Sequence, residues 1–118
     1  MNRKGFVLIQ EEDVLIRGLL ELWLGEAGYA VSAPPEAKPC LVIADVPNPR
    51  RAQALIQSLQ AVYAAPILVL SGRFRRGLAG SAEAARRLGV KKVLPKPFTR
   101  KELLSAVASC LEEGECGR

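Results

Sequence analysis

Lys92-Val93-Leu94-Pro95-Lys96-Pro97-Phe98-Thr99 is a short apolar run that ends in a lysine held between two prolines. A proline cannot extend a central strand, so the lysine stands at a strand end, at a fixed place. A fixed cation calls for an anion. Three other apolar runs end in suitable groups: Val7-Leu8-Ile9 leads into Glu11-Glu12-Asp13, Leu41-Val42-Ile43-Ala44 into Asp45, and Ile67 to Leu70 into Ser71. Acids, a lone aspartate, a hydroxyl and a lysine thus follow one another at successive strand ends.

Between these runs the apolar period changes from two to that of a helix, which predicts a parallel sheet covered by helices, an α/β architecture. The first strand spans Gly5 to Gln10. A helix follows over Val14 to Glu26, with Leu15, Leu19, Leu22 and Trp23 as its inward face and Gly28 as its stop. A short strand is expected at Tyr29 to Ser32. The next stretch, Pro34-Pro35-Glu36-Ala37-Lys38-Pro39, cannot be an ordinary helix. It reads as an extended, polyproline-like crossover, and extended chain at about 3.3 Å per residue has the reach to return beneath a strand. Leu41 to Asp45 is apolar on both faces, as suits a central parallel strand. A second helix is expected from Arg51 to Tyr63, with Leu55, Leu59 and Val62 inward. The glycine- and arginine-rich segment from Gly72 to Gly80 reads as a loop, Ser81 to Leu88 as a helix closed by Gly89, and Lys92 to Leu94 as the last strand. Thr99 and Glu102 form a capping box for a final helix reaching about Glu113.

The 118 residues suit a single domain, 1–118, with one core. No apolar run approaches the ~20 residues needed to span a bilayer. Arg3 and Lys4 precede a stretch too short for a signal peptide, so the expected location is cytoplasmic. Cys40, Cys110 and Cys116 have no metal-ligand spacing, and the chain has no histidine. Histidine-based catalysis is excluded, and the thiols are expected to be reduced. With 17 Lys and Arg against 12 Asp and Glu the formal charge is +5. The excess, in Arg73, Arg75, Arg76, Arg86, Arg87, Lys91 and Lys92, can attract nucleic acid or an acidic protein. A solvated helix face explains the same residues, since only Phe74 is interleaved as a stacking aromatic.

In an open parallel α/β sheet, ligands bind beyond the carboxyl ends of the strands, where the acids, Asp45, Ser71 and Lys96 would converge. Crowded carboxylates repel, and a hard divalent cation such as magnesium relieves the repulsion. An aspartate beside such a cation can attack a phosphoryl group and form an acyl phosphate. The lysine would pair with one phosphoryl oxygen and the serine hydroxyl would donate to another.

On these motifs the chain resembles a response regulator receiver domain of two-component signalling, over nearly its whole length. The acidic pair after the first strand, with an arginine six positions past the first acid, is met by Glu11, Glu12 and Arg17. The proline, apolar run and phosphoacceptor, with a second proline four later, are met by Pro39, Leu41 to Ala44, Asp45 and Pro49. The switch hydroxyl falls on Ser71, and Gly89, Leu94, Lys96, Pro97 and Phe98 meet the last signature. The resemblance implies a flavodoxin-like (βα)5 doubly wound sheet of strand order 2-1-3-4-5, its second helix here replaced by the proline-rich crossover. It also implies a cis bond between Lys96 and Pro97 and Asp45 as phosphoacceptor. Magnesium would be held by Glu11, Glu12, Asp45 and the Pro47 backbone carbonyl.

The chain departs from the family pattern in ways that mark an atypical or degenerate member. Both acids are glutamates where aspartates are usual, each longer by one methylene. Glu12 can fold back as a ligand, or a long carboxylate can reach Lys96 and fill the pocket without metal. Val93 stands where a mobile aromatic is usual, and valine is too small and stiff for the same swing. The expected function is a stand-alone receiver-like signalling domain, phosphorylated on Asp45 by a histidine kinase or phosphotransfer protein and acting through protein contacts. Any enzymatic activity is then at most its own phosphorylation and dephosphorylation. The alternative is a phosphorylation-independent binding module, and nucleic-acid binding through the basic residues is a third reading. Loss of the second helix predicts exposed apolar sheet and a homodimer.

Overall fold

The computed structural model describes residues 5–32, 37–46, 49–71, 85–86 and 89–112. The elements, in chain order, are β1 (Val7–Gln10), α1 (Val14–Glu26), β2 (Leu41–Asp45), α2 (Pro49–Tyr63), β3 (Ile67–Ser71), β4 (Lys92–Pro95) and α3 (Arg100–Glu112). The four strands form one sheet in the order β1-β2-β3-β4, and every neighbouring pair is parallel. The Lys96–Pro97 bond is cis. Pro47, residues 33–36 of the crossover, residues 72–80, most of the expected helix at 81–88 and Cys116 lie outside the described residues.

Alternation along the strands divides the core. Val7, Ile9, Leu41, Ile43, Leu68, Leu70 and Leu94 meet Leu20 and Leu24 of α1 and Leu103, Ala106, Val107 and Cys110 of α3. Val42, Ala44, Val69 and Val93 meet Ile56 and Leu59 of α2, together with Val46 and Ala85. The sheet is thus sandwiched, as near-continuous apolar strands require. The flavodoxin-like α/β reading stands.

Several details differ from the sequence reading. The strand expected over Tyr29 to Ser32 is a single bridge between Ala30 and Phe6. Val7 N–H donates to the Ala30 carbonyl at 2.8 Å and Ala30 N–H to the Gly5 carbonyl at 3.2 Å. The bridge lies on the edge of β1 away from β2, because Phe6 turns its carbonyl the other way, to Cys40 N–H at 2.8 Å. Pro34 and Pro35, just beyond, have no N–H with which to continue a ladder.

The inward stripe of α1 also differs. Leu20 and Leu24 are buried, with Ile16 and Trp23 packed beside them, whereas Leu15 is 80% exposed and Leu19 and Leu22 also face outward. In α2 the inward residues are Ile56 and Leu59, while Leu55 and Val62 are exposed. Both helices carry two apolar stripes at helical spacing, and only docking against the sheet selects one.

The helix ends follow local rules. Asp13 caps α1, its Oδ1 accepting from Leu15 N–H at 2.9 Å and Ile16 N–H at 3.2 Å. Gly28, at φ 100°, closes α1 with Tyr29 N–H on the Leu24 carbonyl and Gly28 N–H on the Gly25 carbonyl. At the start of α3, Thr99 N–H donates to Glu102 Oε1 and Glu102 N–H to Thr99 Oγ1, at 2.8 and 3.1 Å, the reciprocal box that the sequence predicts.

No helix lies between Ala30 and Leu41 among the described residues. The sheet is nevertheless little exposed, since Leu8 is its one apolar strand residue only half-buried among those described. Among the described residues, the exposed large apolar side chains belong to α1 and α2 instead.

Candidate functional site

Strand register alone assembles the site. Gln10 lies opposite Ala44, Asp45 opposite Leu70, and Ser71 opposite Pro95. The residues one step beyond the strands therefore gather at one carboxyl-terminal edge. Glu11, Asp45, Ser71 and Lys96 share that edge, the place where open parallel sheets bind ligands. Lys96 is anchored by its backbone too, its N–H donating to the Ser71 carbonyl at 2.9 Å.

The Lys96 ammonium donates to Asp45 Oδ1 at 2.5 Å and to Glu11 Oε1 at 3.3 Å. Glu11 is only 4% exposed, and its other oxygen, Oε2, accepts from Asp13 N–H at 3.1 Å. Asp45 and Lys96 are half-buried. Burial by itself would lower the Lys96 pKa. The hydrogen bond and charge of Asp45, followed by those of Glu11, more than offset it and hold the ammonium above its ordinary 10.5. The result is a three-membered ion cluster of two carboxylates around one ammonium.

A cavity of about 470 Å³ opens beside the cluster, lined by Gln10, Glu11, Glu12, Val14, Arg17, Asp45 and Leu55. An apolar cleft of about 390 Å³ lies on the other side of Lys96, formed with Ile16, Leu19, Trp23, Pro97 and Phe98. Trp23 and Phe98 meet there edge to face, with ring centroids 6.5 Å apart.

The candidate residues are thus partly united. Asp45, Lys96 and Glu11 are in contact, whereas Glu12 is exposed and outside the cluster. Ser71 is fully buried at the end of β3. Arg17 pairs with Glu21 on the exposed side of α1, Nε to Oε2 at 3.4 Å. Val93 is packed in the core against α2. Of the basic residues, Arg86, Lys91 and Lys92 are exposed, while Arg73, Arg75, Arg76 and Arg87 lie outside the described residues. Asp13 follows the two glutamates in sequence, yet it serves as a helix cap. Its place directly before the first helical residue was the signal.

Three carboxylates are apt donors for a hard cation, but their arrangement does not fit one. Both oxygens of Glu11 are engaged, and among the described residues no three acidic, histidine or cysteine side chains group closely enough to hold a metal. Magnesium asks for near-octahedral oxygen geometry at about 2.1 Å.

No family model matches the chain. The transcriptional regulatory protein PdtaR of Mycobacterium tuberculosis is 37% identical over 113 residues, covering 86% of this chain and 54% of that protein. The chain spans about half the length of the curated relatives it matches. Among solved structures, a response regulator from Thermotoga maritima superposes with a TM-score of 0.74 at 19% identity, covering 92% of this chain and 98% of the other. A response regulator receiver protein from Burkholderia phymatum gives 0.70 at 24% identity, covering 92% and 95%. The parallel sheet and its helical layers agree with that likeness, and the chain has the receiver-domain fold of response regulators.

Proposed function

We propose that this is a receiver-type signalling domain in which Asp45 accepts a phosphoryl group. The observation that carries the reading is the Lys96 ammonium on Asp45 at the mouth of an open cavity. An Asp45 carboxylate oxygen would attack the phosphorus of a donor. One oxygen–phosphorus bond forms as the bond from phosphorus to the leaving nitrogen or oxygen breaks, and the leaving group keeps the electron pair. Lys96 stands where it can answer the charge on the phosphoryl oxygens. Ser71, at the adjacent strand end, is the proposed second donor.

The donor is a histidine kinase or phosphotransfer protein. Its proposed docking face is the exposed apolar side of α1, Leu15, Leu19 and Leu22, next to the cleft at Lys96. The output passes through protein contacts, in the cytoplasm. No helix among the described residues is long and apolar enough to cross a membrane.

Acetyl phosphate, with magnesium and separately with a chelator, tests the reading. Intact-mass spectra should gain one phosphate on the wild type in at least one condition and none on Asp45→Asn. Folded wild type that stays unmodified in both would remove the phosphoacceptor role. A phosphorylation-independent binding module would then stand, favoured by one observation: Lys96 already answers both Asp45 and Glu11.

A further inference from the structure

We infer that Lys96 takes the place of a divalent cation in the resting acid pocket, and that Glu11 is the positioning residue that keeps it there. The inference concerns the same site as the phosphoacceptor reading, but it holds for the unphosphorylated domain whether or not Asp45 accepts phosphate. Two carboxylates facing each other need a positive partner. In this chain an ammonium supplies it from within, 2.5 Å from Asp45 and 3.3 Å from Glu11.

Chain length decides the outcome. Glu11 reaches Lys96 with one oxygen while the other accepts the Asp13 N–H at the start of α1. An aspartate at this position is shorter by one carbon–carbon bond, about 1.5 Å, and could not keep both contacts without backbone movement. Glu11 is therefore tied at both oxygens and almost wholly buried. Its neighbour Glu12 is exposed and lines the cavity beside Asp45 without joining the ion cluster. For magnesium to take Asp45 Oδ1 and Glu11 Oε1, their contacts with Lys96 must break, and the ion must give up water that it releases reluctantly. The ammonium has three donors, and two are already used within the cluster.

The test needs no phosphodonor, so its failure is separable from failure of the phosphoacceptor reading. The full chain is titrated with magnesium chloride against sodium chloride of matched ionic strength. Trp23 fluorescence and the unfolding midpoint are read together. Trp23 lines the cleft with Lys96 and Pro97 and senses displacement of that loop. Wild type should give no saturable fluorescence change and no magnesium-specific shift in midpoint. Lys96→Met leaves two carboxylates without their cation and should acquire a saturable response, with a midpoint rise of about 3 °C. Glu11→Gln added to it should abolish that response. Glu11→Asp, which keeps every charge but shortens the reach, should also gain magnesium binding and serves if Lys96→Met does not fold. A saturable magnesium response in wild type overturns the inference, as does a folded Glu11→Asp or Lys96→Met that stays indifferent to the ion.

Discussion

Lys96 is the residue on which most of the local energetics turns. Its contacts with Asp45 and Glu11 hold its pKa above 10.5, against the opposing pull of burial. A cation whose folded pKa exceeds its unfolded value contributes stability fully below the unfolded value, and loses it as pH rises through the folded one. The stability gap between wild type and Lys96→Met should therefore be flat through neutral pH and close only above 10.5. At neutral pH the gap should be on the order of 2 kcal/mol, less than for a fully buried pair because Lys96 keeps solvent contact. Urea unfolding of both proteins across the pH range measures this. A gap that instead opened toward alkaline pH would mean that the ammonium is destabilised where it sits.

At the scale of elements, α1 and α2 show how two apolar stripes are resolved. On α1, Leu20 touches the sheet from a fully buried position while Leu15 is solvated, although both are leucines of one helix. Leu20→Ala should cost about 2–5 kcal/mol and Leu15→Ala less than about 0.5 kcal/mol. Chemical denaturation of the two variants distinguishes them, and equal costs would mean that the helix is docked on the other stripe. The end of α2 carries a small strain of its own. Ala64 sits at φ 50° with its N–H on the Gln60 carbonyl, a left-handed position that costs a non-glycine residue about 1 kcal/mol. The ends of α1 and of the turn at Gly89 avoid that cost by using glycine, at φ 100° and 76°.

For the molecule as a whole, the two described cysteines report on whether the α1–α3 face opens as one unit. Cys40 and Cys110 are buried, free and part of the same cluster. Burial pushes the Cys110 thiol up to about 11, against the weaker pull of Lys92 and Lys91. A protonated, buried thiol is a poor nucleophile. Alkylation of both cysteines, followed by peptide mass spectrometry, should be negligible in native buffer and rise together through the unfolding transition. Rapid labelling of one alone would show that this face opens piecemeal. The homodimer expected from the proline-rich crossover loses its stated basis, since the sheet apolar surface that it was to cover is already mostly buried.

The sequence by itself determined the alternation of strands and helices, the strand ends bearing Glu11, Asp45, Ser71 and Lys96, and the Thr99–Glu102 cap. These depend on local period, proline and glycine chemistry and side-chain type, all of which act over a few residues. Tertiary structure decided the rest. Which leucine stripe of α1 faces inward depends on the sheet it meets, and Tyr29 to Ser32 contributes one bridge at the edge of β1. Glu11 became a partner of Lys96, 85 residues away in sequence, because the packed sheet carries the ends of β1 and β4 to the same edge. Distances across a sheet are set by packing of the whole chain, and no window of sequence contains them.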